Sequence, residues 1–151
     1  MNAISYVILQ HRDEVLLQLR QGTGYMDGCW STAAAGHVEP GEAAQAAAVR
    51  EAGEELGIHI DPAQLQPLCT VHRNQQAGSY VDFFFRTSQW DGVPRLMEPE
   101  RTAQLRWFPV DALPDNLVEQ EDLVLSRLDS DLPPILSMGF GTETPQPQRL
   151  D

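Results

Sequence analysis

The chain contains no lysine: all ten basic residues are arginine, set against 22 acidic residues for a formal net charge of −12. A protein so poor in cations lacks the phosphate-neutralising surface that a nucleic-acid duplex demands, so no duplex partner is expected. A small phosphorylated ligand that brings a divalent metal is not excluded. Cysteine is scarce as well. Cys29 and Cys69 form no CxxC pair and no zinc-ligand spacing, so two reduced, ordinary thiols are expected. Long apolar runs are missing too. No stretch approaches the roughly 20 residues of a membrane span, so no membrane partner is expected. The short apolar run at residues 3–9 lacks a basic leader and meets His11-Arg12-Asp13-Glu14 at once, unlike a secretory signal. A soluble, cytoplasmic protein is the expectation.

What is present suits one folded domain. The 151 residues are 42% hydrophobic and 7% aromatic, enough for a full core and unlike a disordered or fibrous chain. Neither a repeat nor a linker divides them, so residues 1–151 are read as one domain. Strands are predicted at residues 3–10 and 15–20, with a hairpin turn between them. A polar, glycine-dense loop follows at 21–28, then a short strand at 30–35 and a loop at 36–41. Two strands are expected near 65–73 and 79–87, another at 104–110, and a helix at 116–128. From residue 131 proline and glycine accumulate, which predicts an irregular tail over about 131–151, frayed at 146–151.

The segment 42–56, EAAQAAAVREAGEEL, is dense in the good helix formers Ala and Glu. Gly57 stands where a C-terminal cap glycine belongs, with apolar Ile58 beyond it. Val49, Ala52 and Leu56 form one narrow apolar stripe, which predicts close packing on a sheet. Glu51, Glu54 and Glu55 stand at i, i+3 and i+4 and share a face. Like charges about 4 Å apart repel by roughly 4 kcal/mol at an effective dielectric of 20. Arg50 can offset part of that through an i, i+4 pair with Glu54. A hard divalent ion, Mg²⁺ or Mn²⁺, would offset the rest while keeping room for water and phosphate. Taken alone, such an acidic face is most simply solvated.

The residues upstream change that reading. From Gly36 through Glu42 and Arg50-Glu51 to Glu54-Glu55 and Gly57-Ile58 runs one unbroken 23-residue pattern, GHVEPGEAAQAAAVREAGEELGI. It resembles the Nudix box, G-x5-E-x7-R-E-U-x-E-E-x-G-U with U a bulky apolar residue. The one soft departure is Ala52, smaller than usual, which touches packing rather than chemistry. The resemblance implies an α/β fold, the Nudix α/β/α sandwich around a central mixed sheet. It implies metal-dependent hydrolysis of a phosphoanhydride bond in a nucleoside diphosphate derivative, with Mg²⁺, or Mn²⁺ as a substitute, as cofactor. By the same resemblance Glu54 and Glu55 are paired metal ligands, and Glu51 is a third ligand or a base. Arg50 orients Glu51, Glu42 braces the loop, and the Ala35 carbonyl joins the metal. Glu98, with Glu100 as the other candidate, is the expected later-loop acid near the metal or the attacking water. Arg20 resembles an arginine that contacts phosphate. Trp30, Tyr25 and the Phe83 to Phe85 run are candidates for stacking a base, with core packing expected of most of them.

The substrate expected first is a nucleoside triphosphate, with pyrophosphate as product, since the chain is short and shows no added recognition domain. An ADP-ribose, dinucleotide or nucleotide-sugar hydrolase is the alternative. A nucleotide-binding module without turnover is disfavoured because the three box carboxylates are kept. Monomer and homodimer are both compatible with the sequence.

Overall fold

The structure, a computed structural model, describes residues 1–141. The frayed end expected at 146–151 lies outside them. The elements in chain order are β1 (Asn2–His11), β2 (Glu14–Arg20), β3 (Trp30–Thr32), β4 (Ala34–His37), α1 (Ala44–Leu56), β5 (Gln66–Gln75), β6 (Gly78–Thr87), β7 (Thr102–Pro109), α2 (Glu119–Leu125) and β8 (Ile135–Met138). A 3-10 turn, Pro62–Gln64, links α1 to β5.

The strands form a mixed sheet in the order β3-β2-β1-β6-β5-β8, with β4 also paired to β1 and β7 to β2. β1 runs parallel to β6 from Asn2↔Tyr80 to Leu9↔Thr87, while β5 and β6 are antiparallel. Alternation along the strands makes three layers. Tyr6, Ile8, Val15 and Leu17 point to one face and pack with Val124, Leu125 and Leu128 around α2. Val7, Leu9 and Leu16 point to the other and pack with Ala48, Ala52 and Leu56 of α1. The period-two pattern thus feeds two cores at once, and the result is an α/β/α sandwich.

Several local expectations are corrected. The helix begins at Ala44 rather than Glu42, and its N-cap, Ala43, supplies no side-chain bond. Glu42 is drawn elsewhere: its carboxylate takes the Arg50 guanidinium and the Glu39 amide. Gly57 ends the helix in the left-handed region at φ 69°, its N–H bonded to the Gly53 carbonyl. Ala48 joins Ala52 and Leu56 in the buried stripe, and Val49 is only partly buried. The single strand expected at 30–35 is two, with Gly36 inside β4 rather than in a loop.

The second helix is shorter than 116–128 because its first residues pair with β3 instead. Trp30 N–H donates to the Asn116 carbonyl at 2.9 Å, and Val118 N–H returns to the Trp30 carbonyl at 3.0 Å. The segment expected to be irregular from 131 holds β8, which pairs in parallel with β5 and buries Leu136 completely. Among the described residues no helix is long and apolar enough to cross a membrane.

Candidate active site

The i, i+3, i+4 spacing on α1 brings three carboxylates to one face, and Arg50 stands among them. Its Nε and Nη2 donate to Glu42 at 2.8 and 3.0 Å. Nη1 donates to Glu51 Oε2 at 2.8 Å and Glu54 Oε1 at 3.1 Å, and Nη2 also reaches the His37 carbonyl at 3.0 Å. One planar fork thus ties the loop ahead of the helix to two carboxylates on it. The bidentate bond from Arg50, with the Glu39 amide, holds the Glu42 carboxyl down to about 2.

Glu51 lies against the backbone of β4. A Cβ built on Gly36 would stand 2.1 Å from both Cδ and Oε2 of Glu51, so only glycine leaves room for that carboxylate. Glu55 is more enclosed. Gln18 Nε2 lies 3.5 Å from its Oε1. Its carboxyl is pushed up to about 9, first by desolvation, then by its hydrogen bond with Glu51 and the charges of Glu51 and Glu98, against a backbone hydrogen bond from Ala35. Two carboxylates crowded this closely repel each other as anions, and a cation between them would relieve that repulsion.

Glu98 arrives from the loop between β6 and β7, which closes the C-terminal end of α1. Arg95 N–H donates to the Leu56 carbonyl at 3.0 Å and Met97 N–H to the Glu55 carbonyl at 3.4 Å. These bonds satisfy carbonyls that the helix end leaves open. They also carry Glu98 in beside Glu55. The far side of the loop is pinned where Gln21 Nε2 donates to the Pro99 carbonyl at 2.8 Å.

Glu51, Glu54, Glu55 and Glu98 all line one cavity of about 590 Å³, together with Ala35, Gly36 and Arg20. Ala35 sits in β4 opposite Tyr6. Arg20 is placed there but already engaged. Its Nε donates to the Tyr25 carbonyl at 2.8 Å, its Nη2 to Thr23 Oγ1 at 3.1 Å, and its guanidinium lies over the Tyr25 ring. It shapes the glycine-rich loop. Trp30 goes to the core instead of the cavity: it is buried edge-on against Phe108, at 4.8 Å between ring centroids. Phe84 and Phe85 are buried core as well, whereas Tyr25 lines the cavity.

The cavity wall also holds a buried cluster that sequence reasoning missed. Arg73 makes a bidentate ion pair with Asp82, whose second oxygen also accepts from Tyr6 Oη at 3.2 Å. The guanidinium stacks over Tyr80 at 4.2 Å. Gln120 Nε2 bonds Tyr6 Oη at 3.3 Å and Tyr25 Oη at 3.4 Å. Its one sequence signal is Asp82 interrupting an aromatic strand. Glu121, fully enclosed beside it, accepts from Thr32 N–H at 2.6 Å. Desolvation pushes its carboxyl up to about 7.

The donor set suits a hard divalent ion, being all carboxylate with Ala35 at hand. Among the described residues, however, no three His, Cys, Asp or Glu side chains already close around one point. Arg50 is paired with both Glu51 and Glu54, through Oε2 of one and Oε1 of the other. The expected convergence stops at a shared cavity.

Comparison with known proteins places the fold. The family model for the NUDIX domain matches residues 1–128. The human 8-oxo-dGDP phosphatase NUDT18 is 31% identical over 124 residues, covering 81% of this chain and 36% of that protein. The NAD-capped RNA hydrolase NudC of Stutzerimonas stutzeri is 32% identical over 110 residues, covering 73% of this chain and 37% of that protein. The chain thus spans about a third of the length of these curated relatives. Among solved structures, a MutT NUDIX hydrolase from Burkholderia pseudomallei superposes with a TM-score of 0.76 at 28% identity, covering 83% of this chain and 95% of that one. The domain match over residues 1–128, with the sandwich fold it accompanies, carries one conclusion: the chain belongs to the Nudix family.

Proposed function

We propose that this chain hydrolyses a phosphoanhydride bond in a nucleoside diphosphate derivative, with Mg²⁺ as cofactor and Mn²⁺ as a working substitute. The observation that carries the reading is the gathering of Glu51, Glu54, Glu55 and Glu98 on one cavity wall. Glu54, Glu55 and Glu51 would hold the ion, with the Ala35 carbonyl. Bound there, it supplies positive charge to the phosphoryl oxygens and lowers the cost of ionising water. Arg50 positions Glu51 and braces the loop through Glu42. Glu98 has no side-chain hydrogen bond among the described residues and takes the proton of the attacking water. The water oxygen bonds to phosphorus, the bridging P–O bond breaks, and the leaving phosphate departs with the bridging oxygen.

The substrate proposed is a nucleoside triphosphate, released as monophosphate and pyrophosphate. A second reading, cleavage of a dinucleotide, ADP-ribose or nucleotide sugar, draws on the similarity to a protein named for hydrolysing NAD-capped RNA. A substrate panel separates the two: pyrophosphate released from a triphosphate supports the first, and paired monophosphates from a dinucleotide support the second. EDTA should abolish turnover, and Mg²⁺ or Mn²⁺ should restore it. E54Q and E55Q should lose orders of magnitude in rate with the fold kept. Full turnover in EDTA, or unchanged kinetics in both variants, would refute the assignment.

A further inference from the structure

A polyanionic substrate needs donors as well as a metal, and most donors in this cavity are already engaged. Four guanidinium groups line it. Arg50 is bonded to Glu42, Glu51 and Glu54. Arg73 is paired with Asp82, and Arg20 with the Tyr25 carbonyl and Thr23. Arg101, exposed at the rim, has no side-chain hydrogen bond or ion pair among the described residues. Deeper in the cavity stands a second unengaged donor. Ser31 is 3% exposed, and its Oγ is the buried side-chain polar atom without a hydrogen-bond partner among the described residues. Folded proteins rarely leave such an atom unpaired, so it calls for a partner.

Strand pairing and hydrogen bonds link the surroundings of the two donors across three strands. Ser31 stands directly opposite Gln18 in the β2–β3 ladder, so both side chains share a face. Gln18 reaches Glu55 on that same face, and its Oε1 accepts from Thr102 Oγ1 at 2.6 Å. Thr102 opens β7, and Arg101 is the residue before it. Ser31, buried, and Arg101, exposed, thus line the same cavity as the carboxylates.

We propose that Ser31 and Arg101 bind the phosphate chain of the substrate, the hydroxyl and the guanidinium each donating to phosphoryl oxygens. This rests on the hydrolase reading above and deepens it. A triphosphate offers more phosphoryl oxygens and more charge to these two donors than a diphosphate, so tripolyphosphate binds more tightly than pyrophosphate. Arg101, rather than Arg20, is the arginine that meets the tail. The free protein leaves both donors unpaired, so their removal takes away ligand affinity and no protein contact.

Calorimetric titration of the full chain with inorganic tripolyphosphate and Mg²⁺ tests this. R101A should weaken binding about tenfold or more, as expected for a lost charge-assisted bond, and R101K should recover part of it. R12Q, which removes a charge from the exposed β1–β2 turn, should match wild type. S31A should weaken binding several-fold while melting at or above the wild-type temperature. The proposal is overturned if R101A binds within twofold of wild type, or if S31A melts lower with its affinity intact. Wild type that binds tripolyphosphate through Arg101 yet hydrolyses no nucleotide would sink the hydrolase reading alone. Hydrolysis of triphosphates with R101A binding unchanged would sink this proposal alone.

Discussion

Gly36→Ala is the sharpest perturbation the site offers, because it adds one carbon where the structure has no room. The new Cβ would stand 2.1 Å from Cδ and Oε2 of Glu51 and 2.7 Å from its Cγ. Ordinary contact begins near 3.4 Å, so the carboxylate must retreat by about 1.3 Å. The obstacle is a flexible side chain, and Gly36 is free of the left-handed backbone that would strain alanine. The fold should therefore survive. Alanine restricts the unfolded chain and stabilises by about 0.4–1 kcal/mol. Loss of the partly exposed Arg50–Glu51 contact at 2.8 Å costs a similar ~0.2–1 kcal/mol. The two nearly cancel, so Tm should stay within a few degrees of wild type. Activity should not. Misplacing a catalytic group by about 1 Å costs roughly 100-fold in rate, or about 2.7 kcal/mol of barrier. The assay is kcat/KM for nucleotide hydrolysis beside a thermal melt. A second substitution sharpens it: E51D withdraws the carboxylate by one methylene, so in the G36A background it should cost less than it does alone. G36A with kcat/KM within twofold of wild type, or strictly multiplicative effects in the pair, would refute the reasoning.

The parts legible in the sequence were those whose cause is local. Helix α1 follows from a run of Ala and Glu closed by Gly57, and both its propensity and its left-handed cap act within a few residues. The strands of β1 and β2 follow from alternation, which also sends Tyr6 and Val7 to opposite cores. What escaped depends on distant partners. The start of the helix predicted at 116 was lost to Trp30, 86 residues earlier in the chain, whose backbone bonds both Asn116 and Val118. β8 exists because β5 offers it an edge, whatever its neighbouring prolines favour. Trp30 and Arg20 were sensible candidates by residue type, but Phe108 buries one and the Tyr25 carbonyl occupies the other. The Arg73–Asp82 pair was invisible because its members meet only through the β5–β6 register, nine residues apart along the chain. The box spacing specified which carboxylates share a helix face; the loop that brings Glu98 beside them was set by open carbonyls at the helix end.

Two further substitutions probe the enclosed polar groups. Asp82 is fully buried and Arg73 nearly so, so D82N leaves a guanidinium unpaired and should cost about 3–5 kcal/mol. Urea denaturation measures it, and a loss below about 1 kcal/mol would show the pair to be dispensable. Glu121 makes stability depend on pH. Its carboxyl rises from 4.5 to about 7 on folding, chiefly through desolvation. Between those values the folded state binds more protons than the unfolded chain, so this group's contribution is full below about pH 4.5 and is lost as pH rises through 7. The span corresponds to on the order of 3 kcal/mol. Glu55, raised to about 9, adds a decline of its own over a wider window, so the measurement is the difference between wild type and E121Q across pH 4–8. Glutamine keeps an oxygen for the Thr32 amide and has no charge to desolvate. E121Q should therefore overtake wild type as pH rises and hold its advantage above pH 7. Parallel curves for the two proteins would mean that Glu121 stays ionised in the folded protein, and burial would then not control its charge.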